Sequence, residues 1–340
     1  MKRTINILLA MALILTGCKG HSSLNPDVIH PQDNPINFAV SCDMSVESKA
    51  IISAPTGFVA LGGLTTADAW KTNQIFGANG TEVTPTSNNT WTYSPVRYWQ
   101  PGSYVFAGVM PSTLDCTASL AENNHNQLTL NFGNNGFNLA ETQTDLLVAF
   151  DDVSVESTAT AGPVDFDFAH QFALVVIKGA SVDPNTSGIQ ITNIKVYGNT
   201  ASTTGNMVFT YAQSGISPSY TLSSSKTTLN APYKSIDAPT GENLSAEGDW
   251  TLVKPGANGS VHDTLVPELL VFPEQCTFDI AITYNEGGIE GKTRIGSLSA
   301  DWKAGKKYTY SFNLATDISF SVTVSDWISA DVNDTPIEII

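Results

Sequence analysis

From Ile318 to Ser325 the chain sets Ile318, Phe320, Val322 and Val324 on one side and Ser319, Ser321, Thr323 and Ser325 on the other. Strict alternation is the period of a strand with one buried face; wound into a helix, those apolar side chains would scatter around its circumference. The same period returns in Ile36, Phe38 and Val40, in Phe278, Ile280, Ile282 and Tyr284, and in Tyr308, Tyr310, Phe312 and Leu314. Further strands are predicted at 103–109, 127–132, 144–150, 164–168, 172–178, 189–197, 206–211 and 268–272. The 26 Gly and 17 Pro are spread along the chain, and Asn79-Gly80 and Asn135-Gly136 suit tight turns that need positive φ. No long amphipathic helical period is found, so the expected class is all-β. At 340 residues there is room for about two domains, and Ala161-Gly162-Pro163 is the expected break, with one sandwich-like unit over 36–162 and a second over 163–340.

The first residues address the compartment. Lys2 and Arg3 precede an apolar run from Ile5 to Leu15 broken only by Asn6, and Leu15-Thr16-Gly17-Cys18 ends it. The run is shorter than the roughly 20 residues that cross a bilayer, so residues 1–17 are expected to be a signal peptide. The motif resembles a bacterial lipobox, which implies Cys18 as a lipidated new N-terminus, an outer-membrane lipid anchor and an extracytoplasmic protein. Residues 18–35, with Gly20, Ser22, Ser23, Pro26, Pro31 and Pro35, read as a flexible tether. Cys42, Cys116 and Cys276 are widely spaced and leave room for one disulfide; they lack metal-site spacing.

Composition excludes one class of partner. There are 32 acidic against 16 basic residues and a net charge of −16, whereas nucleic-acid recognition is carried by clustered Lys and Arg. No HExxH, GxSxG, Walker loop or GxGxxG follows a predicted strand. Of the five His, His21 and His30 fall in the tether and His125 in a polar loop; His170, near Asp165 and Asp167, and His262 beside Asp263 are the residual catalytic candidates. Flanked by Phe168 and Phe172, His170 reads better as structural, and no catalysis is expected. Asp151-Asp152 and the run Glu286-Gly287-Gly288-Ile289-Glu290 lack the ligand spacing of a known Ca²⁺ loop and read as solvated turns, so neither a metal nor a cofactor is expected. Trp91, Tyr93, Tyr98 and Trp99 form an aromatic cluster. Exposed, it would stack on sugar rings, and the chain would be a monomeric glycan-binding lipoprotein; the shared strand face of Trp91 and Tyr93 favours core packing instead.

Several segments taken together resemble the fimbrillins, the lipoprotein precursors of type V pili in Bacteroides-type bacteria. They are Ile36-Asn37-Phe38, Trp91-Thr92-Tyr93 through Tyr98-Trp99-Gln100-Pro101 to Tyr104-Val105-Phe106-Ala107, Asp145-Leu146-Leu147-Val148-Ala149, and Val164-Asp165-Phe166-Asp167-Phe168-Ala169-His170-Gln171-Phe172. Near the end come Trp302-Lys303-Ala304-Gly305-Lys306-Lys307-Tyr308-Thr309-Tyr310 and Val322-Thr323-Val324-Ser325-Asp326-Trp327. The resemblance implies two tandem transthyretin-like β-sandwiches and a fimbrial subunit at the cell surface, structural or adhesive.

It also implies a mechanism. A trypsin-like surface protease cuts past the first strand, removing lipid, tether and strand, and a strand from another pilin subunit fills the groove. The displaced strand here is Ile36, Phe38 and Val40, and the cut falls between Lys49 and Ala50. Family members commonly carry Arg at that place, whereas the Arg residues here are Arg3, Arg97 and Arg294. Either a Lys-tolerant enzyme cuts, or the chain is never cut. Ile337 and Ile339 share one face of a possible donor tail, which could equally pair within its own domain or be frayed. A short tail fits a tip subunit, and an uncut chain fits a base anchor. An adhesion ligand, if there is one, is not named by the sequence.

Overall fold

The computed structural model describes residues 34–42, 57–65, 74–86, 90–121, 127–133, 136–141, 143–182, 189–198, 201–202, 204–212, 215–223, 234–237, 251–252, 269–314, 318–327 and 337–338. In chain order the strands begin β1 (Phe38–Cys42), β2 (Phe58–Leu64), β3 (Thr81–Pro85), β4 (Trp91–Thr92), β5 (Gly102–Met110), β6 (Thr117–Leu120), β7 (Gln127–Asn131) and β8 (Phe137–Asn138). They continue with β9 (Leu147–Val155), β10 (Val164–His170), β11 (Ala173–Val182), β12 (Ile189–Tyr197), β13 (Thr204–Ala212), β14 (Gly215–Ser223), β15 (Lys234–Asp237) and β16 (Thr251–Leu252). The last are β17 (Leu269–Val271), β18 (Gln275–Glu286), β19 (Ile289–Asp301), β20 (Lys306–Leu314), β21 (Ile318–Asp326) and β22 (Ile337–Glu338). Among the described residues the only helical turn is a 3₁₀ turn at Thr158–Thr160. The all-β expectation holds.

A seven-stranded sheet runs β1-β10-β9-β5-β2-β3-β4. Alternation gives it two apolar faces. Phe58 and Ala60 of β2, Tyr104 and Phe106 of β5, Leu147 and Ala149 of β9, and Phe166 and Phe168 of β10 lie in one core with Ile36 and Phe38, closed over by Phe76, Tyr93 and Trp99. Leu61, Ala107, Val109, Val148 and Phe150 lie in the other, with Leu128 and Leu130 of β7 and Met207 and Phe209 of β13. Close packing leaves no volume for a side chain at Gly108, where a Cβ would stand 2.7 Å from the Phe168 ring.

The second core continues between two five-stranded sheets, β17-β11-β20-β21-β22 and β15-β12-β18-β19 with β16 also on β12. Phe278 of β18 meets Tyr310 of β20 edge to face at 5.1 Å, and the Trp302 indole N–H donates to the Tyr310 hydroxyl at 3.1 Å, which satisfies both polar tips inside the core. A fourth sheet, β14-β13-β7-β6 with β8 on β13, joins strands from both sides of residues 161–163. β10, which follows that segment, completes the first sheet.

Candidate functional site

The candidate site is the sheet edge that β1 occupies. β1 runs parallel to β10, from Phe38 opposite Val164 to Cys42 opposite Phe168, and forms the edge of the seven-stranded sheet. The residues just before it are held on two sides. The Val164 N–H donates to the Asn37 carbonyl at 2.8 Å; on the other flank the Ile36 N–H donates to Arg97 O at 2.9 Å and the Trp99 N–H to Asn34 O at 2.9 Å. The Asn34 amide donates to the Thr158 and Ala161 carbonyls, and the Tyr93 hydroxyl donates to the Ile36 carbonyl at 2.9 Å. Residues 34–37 therefore lie as an inner strand would, and only 38–42 are at an edge.

Side chains divide by the alternation of the sequence. Ile36 is wholly buried, Phe38 is buried and Val40 half-buried, while Asn37 and Ser41 face outward. The Phe38 ring meets those of Phe58, Phe76, Tyr93 and Phe166 at centroid distances of 5.3, 5.9, 5.7 and 5.5 Å. Outside the groove, the Ser41 hydroxyl donates to an Asp167 carboxylate oxygen at 2.9 Å. Burial pushes the Tyr93 hydroxyl up to about 12, against the Arg97 backbone contact, so it remains a donor at neutral pH.

Other sites suggested by the sequence divide differently. Cys18, Lys49, Ala50, Ile339, His21, His30, His125 and His262 lie outside the described residues. Ile337 stands opposite Val322, in a two-strand contact between β22 and β21. Trp99 and Tyr104 are buried and Trp91, Tyr93 and Tyr98 partly so; the rings of Trp91, Tyr93 and Trp99 pack on Phe58, Phe76 and Phe106 in turn, as the core reading of the aromatic cluster expects. Gly287 and Gly288 make the two-residue turn between β18 and β19 with φ of 58° and 78°. Among the described residues no group of three or more His, Cys, Asp or Glu is placed to hold a metal. Cys116 and Cys276 are free thiols, pushed up to about 11 and about 12 chiefly by burial.

His170 is buried, as its aromatic neighbours suggest, but its partner is neither Asp165 nor Asp167, which face outward. Its Nδ1 lies 2.5 Å from the carboxylate of Asp145, and its ring stacks on Trp327 at 3.9 Å. Desolvation raises the Asp145 carboxyl, and the His170 contact opposes that rise. The cluster ties the end of β10 to the end of β21, a structural role. Sequence reasoning missed Asp145 because it is 25 residues away from His170 and carries no spacing signal of its own.

Comparison with known proteins places the chain. A family model described as fimbrillin-like matches residues 62–327. A fimbrial protein from Bacteroides vulgatus shares 18% identity over 86% of this chain and 99% of its own, with a TM-score of 0.50. Candidate cell adhesion proteins from Bacteroides ovatus and Bacteroides uniformis each align over 88% of this chain, at 15% and 16% identity, covering 99% and 100% of their own chains, both with a TM-score of 0.49. No curated protein matches. At such identities the solved structures speak to fold alone, and the family rests on the match over residues 62–327: the chain belongs to the fimbrillin-like family.

Proposed function

We propose that the chain is a structural or adhesive subunit of a cell-surface fimbrium, joined to other pilin subunits by exchange of its first strand. The observation that carries this is the seating of β1. It is an edge strand, it and the residues just before it bury Phe38 and Ile36, and the main chain of residues 34–37 is held by backbone groups that would serve any strand of the right shape. Those are the terms of strand addition, in which main-chain hydrogen bonds give affinity and alternate side chains fill pockets. Lipidation at Cys18 would hold the precursor at the outer membrane, and cleavage by a surface protease between Lys49 and Ala50 would separate β1 from the rest. A tip subunit would accept a strand without giving one; a shaft subunit would do both.

Limited digestion with a Lys-specific protease tests this reading. The expected product begins at Ala50 and goes on to form oligomers that survive SDS. A chain that is cut elsewhere, or is cut at Lys49 and stays monomeric at high concentration, would overturn it.

A further inference from the structure

Away from the β1 edge, the first half of β19 stands open. Residues 289–297 bury no side chain, and Ile289 and Ile295 are 57% and 47% exposed. The strand pairs with β18 alone, so the other flank of its main chain has no strand partner among the described residues. On the paired flank β18 holds it extended: Thr293 stands opposite Thr283, with their hydroxyls 3.1 Å apart, and Arg294 opposite Ile282. From Gly296 onward the strand is anchored, because no Cβ fits at Gly296 against the Phe320 ring and Leu298 is buried. An open edge of this kind is a template for an extended partner, main chain to main chain.

The charges on this edge point to the kind of partner. Lys292 is half-buried, and its ammonium is held 2.6 Å from the Glu286 carboxylate across the hairpin. Arg294 is exposed and makes no hydrogen bond or ion pair among the described residues. A free guanidinium on an extended strand fits a partner that pairs along the edge and takes the side chain into an anionic pocket, which is how an arginine-directed endopeptidase holds its substrate. We propose that the Arg294–Ile295 bond is a cleavage site for such an enzyme, docked along the open edge of β19. Water adds across the amide: the C–N bond breaks, Arg294 keeps a carboxylate, and the nitrogen leaves as the Ile295 ammonium. The other Arg residues are not equivalent. Arg3 lies in residues 1–17, the expected signal peptide, and Arg97 is half-buried, with its N–H donating to the Tyr93 hydroxyl and its carbonyl accepting from the Ile36 N–H. The nick frees residues 289–294 at one end and leaves 295–301 paired with β18, so the fold outlasts it. With no Arg between β1 and Arg97, an enzyme of this class leaves the first strand in place and marks the C-terminal part of the chain instead.

Brief treatment of the folded full-length chain with an arginine-specific protease tests this. The expected digest gains a new N-terminus, Ile295-Gly296-Ser297, while the Arg97–Tyr98 bond stays intact. The two pieces should co-elute on gel filtration and part in SDS. Arg294→Gln should abolish that cut and leave the urea midpoint unchanged. Because the strand is taken from its open edge while still paired, the cutting rate, measured relative to a free peptide of residues 289–300, should stay flat in urea below the unfolding transition. A relative rate that climbs with urea from the start means that the bond is reached only through unfolding, and overturns edge docking. An Arg294–Ile295 bond that persists in the folded chain while the peptide is cut, or cutting at Arg97 first, overturns the site. Pieces that separate in native buffer overturn the claim that the fold outlasts the nick. A Lys-specific enzyme plays no part in these measurements, so this cleavage and strand exchange stand or fall separately.

Discussion

Phe38 shows how much one side chain can hold. It is buried among Phe58, Phe76, Tyr93 and Phe166, and truncation would leave a ring-sized cavity walled by other rings that cannot collapse into it. Phe38→Ala should therefore cost about 3–5 kcal/mol of stability, read as a fall in the urea midpoint. Glu274 supplies a pH test. Its carboxylate accepts from the Ser202 N–H and, at 3.1 Å, from the Ser202 hydroxyl, yet desolvation outweighs these bonds and raises its carboxyl above 4.5. A raised carboxyl binds its proton more tightly in the folded state. Its contribution is thus fully present below the unfolded value and is lost as pH rises through the folded one. In denaturation series across the acid range, wild type should lose ground to Glu274→Gln as pH rises; a gap that stays constant or moves the other way would contradict this account.

At the level of elements, the clearest strands were those with one buried face, and β2 and β19 were not legible. β18, β20, β21 and β10 announce themselves because one side of each faces a core, and in β10 every second residue from Val164 to His170 is buried. β19 was missed because residues 289–297 include no buried side chain: this stretch pairs only with β18 and leaves Ile289 and Ile295 exposed, so no solvent-driven alternation was imposed on it. β2 was missed for the opposite reason. Its Gly62 lies against the backbone and ring of β5, where a Cβ would be 2.6 Å from Phe106, so close packing replaced a side chain with nothing and broke the pattern. The groove was half legible: the alternation of Ile36, Phe38 and Val40 marked the strand, while its clamps at Tyr93, Arg97 and Trp99 depend on contacts distant in sequence. The turn between β18 and β19 has its own test. Gly287 and Gly288 both have positive φ, and replacing both with Ala should cost about 1–2 kcal/mol each, seen as a lower thermal midpoint.

For the molecule as a whole, a cut at Lys49 would not by itself release the first strand. Burial of Ile36 and Phe38 alone is worth about 3–6 kcal/mol, before the main-chain bonds on both flanks of residues 34–37 are counted. After a cut at Lys49, the fragment bearing β1 should stay bound in dilute native protein, co-eluting with the body on gel filtration, and leave in denaturant or as a competing strand from another copy displaces it at high concentration. Immediate loss on cutting would mean that the groove holds its strand far more weakly than its packing indicates. The pairing of β1 with β10 has one more consequence. It is parallel, with Asn34 and Pro35 just ahead of its first pair. If successive copies join through it, each contact is between unlike surfaces, and every copy faces the same way. The fibre would then have a growing end and a finished end, with its polarity written into the direction of five residues.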